Sequence, residues 1–75
     1  MEQFDMQLML KDGAFADYQV KTEKNSKLYE VYSGESLIAS FEDDNQGSFA
    51  LSDNPGNIDE DLQSRIIEQL KGFSA

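Results

Sequence analysis

A chain of 75 residues with 15 acids against six basic side chains, and a net charge of −9, is one small acidic domain. A domain of this size buries only about 60 % of the surface that its unfolded form exposes, so its core is thin. The sign of the charge disfavours nucleic acid and anionic membrane, and the absence of His and Cys removes imidazole bases, thiolate nucleophiles, disulfides and thiolate metal sites.

Apolar residues make up 39 % of the chain and aromatics 11 %, too many for a disordered acidic tail, so the chain reads as globular. The start, Met1-Glu2-Gln3-Phe4-Asp5, lacks the positive and apolar regions of a secretion signal, and no apolar run approaches the roughly 20 residues of a membrane span. The expectation is a soluble, cytoplasmic protein.

Hydrophobic periodicity divides the chain at Asp53-Asn54-Pro55-Gly56-Asn57, where its one proline lies. Before that cluster the apolar residues recur with period two, and after it with period 3.6. This predicts an α+β fold: an antiparallel meander of four to five strands over residues 3–52, a linker at 53–57, and a helix over 58–72 packed on one face.

Hairpins keep one face inward on both arms, so loop length can be tested against the apolar pattern. Phe4, Met6, Leu8 and Leu10 alternate, although the Met, Gln and Leu content of this stretch also suits a helix. A three-residue loop Lys11-Asp12-Gly13, with Gly13 left-handed, sets Leu8 opposite Ala16 and Met6 opposite Tyr18. An even turn around Lys24-Asn25 then pairs Val20 with Tyr29 and Tyr18 with Val31. A three-residue loop Ser33-Gly34-Glu35 sets Val31 against Leu37 and Tyr29 against Ala39, and a turn within Asp43-Asp44-Asn45-Gln46-Gly47 sets Phe41 against Phe49. The inner layer so defined also includes Leu51.

In the helix, Asn57 and Glu60 have capping-box spacing, and Ile58, Leu62, Ile66, Leu70 and Phe73 form an apolar stripe widened by Ile67. Gly72 supplies a left-handed C′ position, with Phe73 folding back on Ile67. Asp61 with Arg65 is a favourable i,i+4 pair, and Lys71 suits the end of the dipole.

The chemical inventory argues against an enzyme. No serine sits in a Gly-x-Ser-x-Gly context, and Glu42 with Asp44 lies in a turn where solvent keeps carboxylates ordinary. The oxygen-rich Glu42-Asp43-Asp44-Asn45-Gln46-Gly47 does not match the EF-hand pattern and reads as a hairpin turn, so neither a metal nor another cofactor is expected. Lys21, Lys24 and Lys27 cluster at one turn, too few against the overall charge for a nucleic-acid site.

Two features remain as candidates for function. The same parity that builds the inner layer leaves Met9, Phe15, Leu28, Tyr32 and Ile38 as a slanting apolar stripe on the outer sheet face, where polar residues are the norm. Such a patch suits a protein partner or a homodimer. The charge is also lopsided: residues 1–27 carry five acids against four lysines, and residues 28–75 ten acids against Arg65 and Lys71. Glu35, Glu42, Asp43, Asp44, Asp53, Asp59, Glu60 and Asp61 would be the surface of the alternative, an acidic inhibitor that mimics nucleic acid and blocks a basic protein. A third reading is a small apolar ligand held between helix and sheet. The leading expectation is a non-catalytic binding module that uses the outer sheet face.

Overall fold

The structure is a computed structural model that describes residues 2–22 and 27–74. Five strands, β1 (Glu2–Met9), β2 (Phe15–Thr22), β3 (Leu28–Ser33), β4 (Ser36–Asp43) and β5 (Phe49–Asp53), form one antiparallel sheet in sequential order, followed by helix α1 (Glu60–Ser74). This is the α+β meander that the two periodicities predict, and the segment from Phe4 to Met9 is strand. The turn expected around Lys24-Asn25 and the packing of Phe73 on Ile67 lie outside what the structure describes.

The first hairpin follows directly from its loop. Gly13 has φ +89°, a left-handed value that favours glycine, and its N–H donates to the Leu10 carbonyl at 2.9 Å. The Asp12 carboxylate accepts the Ala14 N–H at 2.9 Å and stiffens the turn. Leu10 N–H donates to the Ala14 carbonyl at 2.7 Å, and the register beyond is Leu8 opposite Ala16, Met6 opposite Tyr18 and Phe4 opposite Val20.

Further along the meander the faces are kept but the registers move by two residues. Val20 pairs with Val31, so the expected Val20–Tyr29 pairing becomes Thr22–Tyr29. Thr22 therefore joins the inner face, where it is buried with its hydroxyl donating to the Leu28 carbonyl at 2.9 Å. Tyr29 pairs with Phe41 and Val31 with Ala39, and Phe41 pairs with Leu51, not Phe49. A two-residue displacement leaves every side chain on its original face, because the side-chain period of a strand is two.

One irregularity does change a face. The β3–β4 ladder slips between Val31 and Tyr32, so Val31 meets Ala39 whereas Tyr32 meets Leu37, and Ile38 is the extra residue of a bulge. Leu37, expected inward, is opposite the outward Tyr32, while Ile38 packs against the core. Leu51, also expected inward, shares the face of Phe41 but lies on the edge strand and is 38 % exposed.

The core joins Met6, Leu8, Val20, Val31, Ala39, Phe41 and Phe49 of the sheet to Ile66 and Leu70 of the helix, all buried. Tyr29 and Phe49 meet edge to face with ring centroids 5.1 Å apart. The helix backbone comes close to both edge strands, β1 and β5, which places α1 across the open side of a curled sheet. Phe4, Tyr18, Ile58, Leu62 and Ile67 pack around this centre.

The helix ends differ from the sequence reading. Asp59, not Asn57, is the N-cap: its carboxylate accepts the Leu62 N–H at 2.9 Å and its carbonyl accepts the Gln63 N–H at 3.0 Å. Asn57 is left-handed, with φ +53°. The Asn54 amide spans the linker, accepting from the Ile58 N–H at 2.8 Å and donating to the Ile58 carbonyl at 3.1 Å. The Gly56 N–H donates to the Ile38 carbonyl at 2.9 Å, so the linker docks on the bulge. At the far end the helix runs through Gly72 to Ser74, and Gly72 is a helical residue, not a left-handed cap.

The two glycines give opposite predictions in a thermal or urea melt. A methyl group at Gly56 would lie 2.8 Å from Ile38 Cβ and 2.9 Å from its Cα, so Gly56→Ala should lower stability by about 1–3 kcal/mol. Gly72 has open space around it, and Gly72→Ala should raise stability by about 0.5–1 kcal/mol. A loss of stability in the second variant would restore the left-handed cap. Ile66→Ala, which opens a cavity at a fully buried position, should cost about 2–5 kcal/mol, and a melt matching the parent would refute this core.

Candidate functional site

The five residues expected to form the outer apolar stripe are not one patch. Met9 and Phe15 are directly opposite each other on β1 and β2, and are the most exposed large apolar residues described, at 55 % and 66 %. They crown the first hairpin beyond the point where β2 is paired with β3, since the β2–β3 ladder covers only residues 19–22 of β2.

Tyr32 lies opposite Gln19, two positions further from Phe15 than the expected register allowed. Four residues of strand, about 13 Å, now separate the Phe15 level from the Tyr32 level. The Tyr32 ring is half-buried under the Lys21 ammonium, 4.5 Å from the ring centroid, a cation–π contact worth about 0.5–1 kcal/mol at an exposed site. Leu28 is half-buried opposite Glu42, and Ile38 has left the stripe for the core. The pair Met9–Phe15 is what survives of the predicted site.

Between that pair and Tyr32 the outer face is polar. Asp5 lies opposite Gln19 and Gln7 opposite Asp17, and these four, with Gly34 of the β3–β4 turn as a wall, line an open groove of ≈ 570 Å³. Sequence reading missed this groove. Alternation marks Asp5, Gln7, Asp17 and Gln19 as outward, but the wall depends on where the β3–β4 turn falls, which loop length alone leaves open. A second, smaller cleft of ≈ 250 Å³ lies at the helix start between Leu10, Lys11, Asp59 and Leu62.

The acids proposed as a nucleic-acid mimic are split between the two ends of the sheet. Glu42, Asp43 and Asp44 lie at the β4–β5 turn, whereas Glu35 lies at the opposite end in the β3–β4 turn. Asp53 closes β5 opposite Ser40, midway along β4, and Asp59, Glu60 and Asp61 start the helix beside Lys11 of the β1–β2 turn, at the Glu35 end. The β4–β5 turn and the Glu35 turn are separated by a strand length of about 25 Å, with Asp53 between them. Several of the carboxylates serve the backbone: Asp43 accepts the Asn45 N–H at 2.9 Å, and Asp44 accepts those of Gln46 and Ser48 at 2.8 and 3.1 Å. Asp53 accepts the Asn54 N–H at 2.9 Å. Among the described residues no three acids converge on a point that could hold a metal ion.

Asp61 and Arg65 form the expected ion pair at 2.9 Å, and Glu68 pairs with Lys71 at 3.6 Å. Arg65 also does something the sequence does not announce: its Nη1 donates to the Met9 carbonyl at 2.7 Å, tying the helix to the end of β1 beside the exposed apolar pair. Among the described residues no helix is long and apolar enough to cross a membrane. No family model, curated protein or solved structure matches the chain.

Polar substitution separates the two fates of the predicted stripe. Phe15→Ser should leave stability within about 0.5 kcal/mol of the parent, as an exposed position does. Ile38→Ser should lower it by about 1–2 kcal/mol through lost apolar burial. Equal effects in a denaturant titration would return Ile38 to the outer face.

Proposed function

We propose that this protein is a non-catalytic interaction module that binds a protein partner through the tip of its first hairpin. The observation that carries the reading is the exposed pair Met9–Phe15, two large apolar side chains side by side on strands whose other outward residues are polar. Exposed large apolar side chains that adjoin one another are a common mark of an association surface. They stand on rigid backbone: the Gly13 loop fixes their register and the Arg65 bond to the Met9 carbonyl anchors the strand end. A cysteine-free composition suits a reducing cytoplasm, and the shortage of acid–base and nucleophilic groups suits binding over catalysis.

The test is affinity capture from native lysate together with sedimentation velocity, comparing the parent with Phe15→Glu and Met9→Lys. The expected result is a captured protein, or a self-association, that both variants lose while their melts stay at the parent value. Retention of the same species by both variants would overturn the reading. Capture that persists in the variants but vanishes as salt rises would favour the acidic-inhibitor alternative, because an apolar contact is nearly insensitive to screening.

A further inference from the structure

The hydrogen-bond phase of β1 shows which of its backbone groups are available. In an antiparallel pair, hydrogen-bonded and non-hydrogen-bonded positions alternate. The bond from Leu10 N–H to the Ala14 carbonyl makes Leu10 a hydrogen-bonded position, so Leu8, Met6 and Phe4 also direct their N–H and C=O groups at β2. The odd-numbered residues Gln3, Asp5, Gln7 and Met9 must direct theirs away from the sheet. The Met9 carbonyl, left unpaired with β2 by this phase, is the one that accepts from Arg65 of the helix. Gln3, Asp5 and Gln7 therefore present a row of main-chain donors and acceptors at an open edge.

The two edges of this sheet are not alike. Edges are normally blunted by shortness, bulges, proline or lysine. β5 has five residues, a register slip next to Ser40–Phe41 that leaves Ser52 as an extra residue, and Pro55 just beyond it. β1 has eight residues in unbroken register, and contains neither proline nor lysine.

Resting on the interaction-module reading, we infer that the free edge of β1 takes up an extended basic segment of the partner as a sixth, antiparallel strand. Charge names the occupant: side chains of an added strand that reach the outer face would stand beside Asp5 and Gln7, at the rim of the groove that also holds Asp17. A lysine or arginine opposite Asp5 meets that carboxylate directly and points towards Asp17 across the groove, and a chain of net charge −9 favours it at long range. A second copy paired antiparallel about the middle of the edge would instead set Asp5 against its own counterpart. An apolar side chain opposite Gln7 falls diagonal to Met9, whose cross-strand neighbour is Phe15. The segment recognised is thus extended, with an apolar residue two positions before a basic one, its main chain giving affinity and its alternate side chains specificity.

The probe is the synthetic peptide Thr-Leu-Thr-Lys-Thr-Lys-Thr, with Thr-Leu-Thr-Glu-Thr-Glu-Thr as its counterpart, titrated into labelled protein and followed by backbone amide resonances. The expected result is that the lysine peptide shifts the amides of Gln3, Asp5 and Gln7, that the glutamate peptide does not, and that Asp5→Lys weakens binding by about tenfold or more. Gln7→Pro removes one outward N–H without breaking a ladder bond, and should abolish the shifts while leaving the melt close to that of the parent. A large loss of stability in Gln7→Pro would contradict the phase assignment. No binding of the lysine peptide, or equal binding of both peptides, overturns the proposal. Loss of capture in Phe15→Glu with full retention in Gln7→Pro would overturn the edge while leaving the apolar tip as the interaction site. Sedimentation showing a dimer of the protein alone that Gln7→Pro dissociates would assign the edge to a second copy and overturn the basic partner.

Discussion

The bond between the Leu10 N–H and the Ala14 carbonyl decides two things at once. It closes a three-residue loop that only a left-handed Gly13 allows, and so puts Met6, Leu8 and Tyr18 on the helix side of the sheet and Met9 and Phe15 on the other. It also sets the phase in which the β1 backbone is either paired or open. Both the apolar tip and the free edge follow from it, and a loop one residue longer or shorter would reverse the faces of one arm.

The fold was legible in the sequence because its main determinants are local. Alternation, the Pro55 cluster and the four-residue steps of Leu62, Ile66 and Leu70 need no knowledge of the partner strand. Registers are another matter. The β2–β3 and β4–β5 pairings moved by two residues, a change that leaves every apolar residue on its own face and is therefore invisible to a hydrophobic pattern. The bulge at Ile38 is invisible for a similar reason, since an extra residue is absorbed by the ladder and shows only as a swap between Leu37 and its neighbour.

That difference explains why most of the core reading held, apart from Leu37 and Ile38 at the bulge and the exposed Leu51, and the stripe did not. A core needs only the correct face, whereas a surface patch needs the correct diagonal neighbours, which two residues of register move by about 7 Å. Met9 and Phe15 remained together because they lie next to the one loop whose length the chain states unambiguously. At the helix start Asn57 and Asp59 are both good caps, and the selection of Asp59 reflects the linker, in which Asn54 grips both polar groups of Ile58 and Gly56 abuts Ile38. Of the 15 acids, loudest in the composition, five have a local role in the backbone: Asp12, Asp43, Asp44, Asp53 and Asp59 each accept a neighbouring backbone N–H.

The bond from Arg65 to the Met9 carbonyl joins residues 56 apart in the chain. Every strand pairing in the sheet is between consecutive strands, so the meander consists of short loops that close quickly, and the helix supplies the late, long-range step. During synthesis the hairpins can therefore assemble in the order in which they appear, with the apolar concave face left uncovered until the last turns of the helix arrive. The interval before that closure is when the chain is most exposed to aggregation, and the open β1 edge, being the first strand made, is available throughout it.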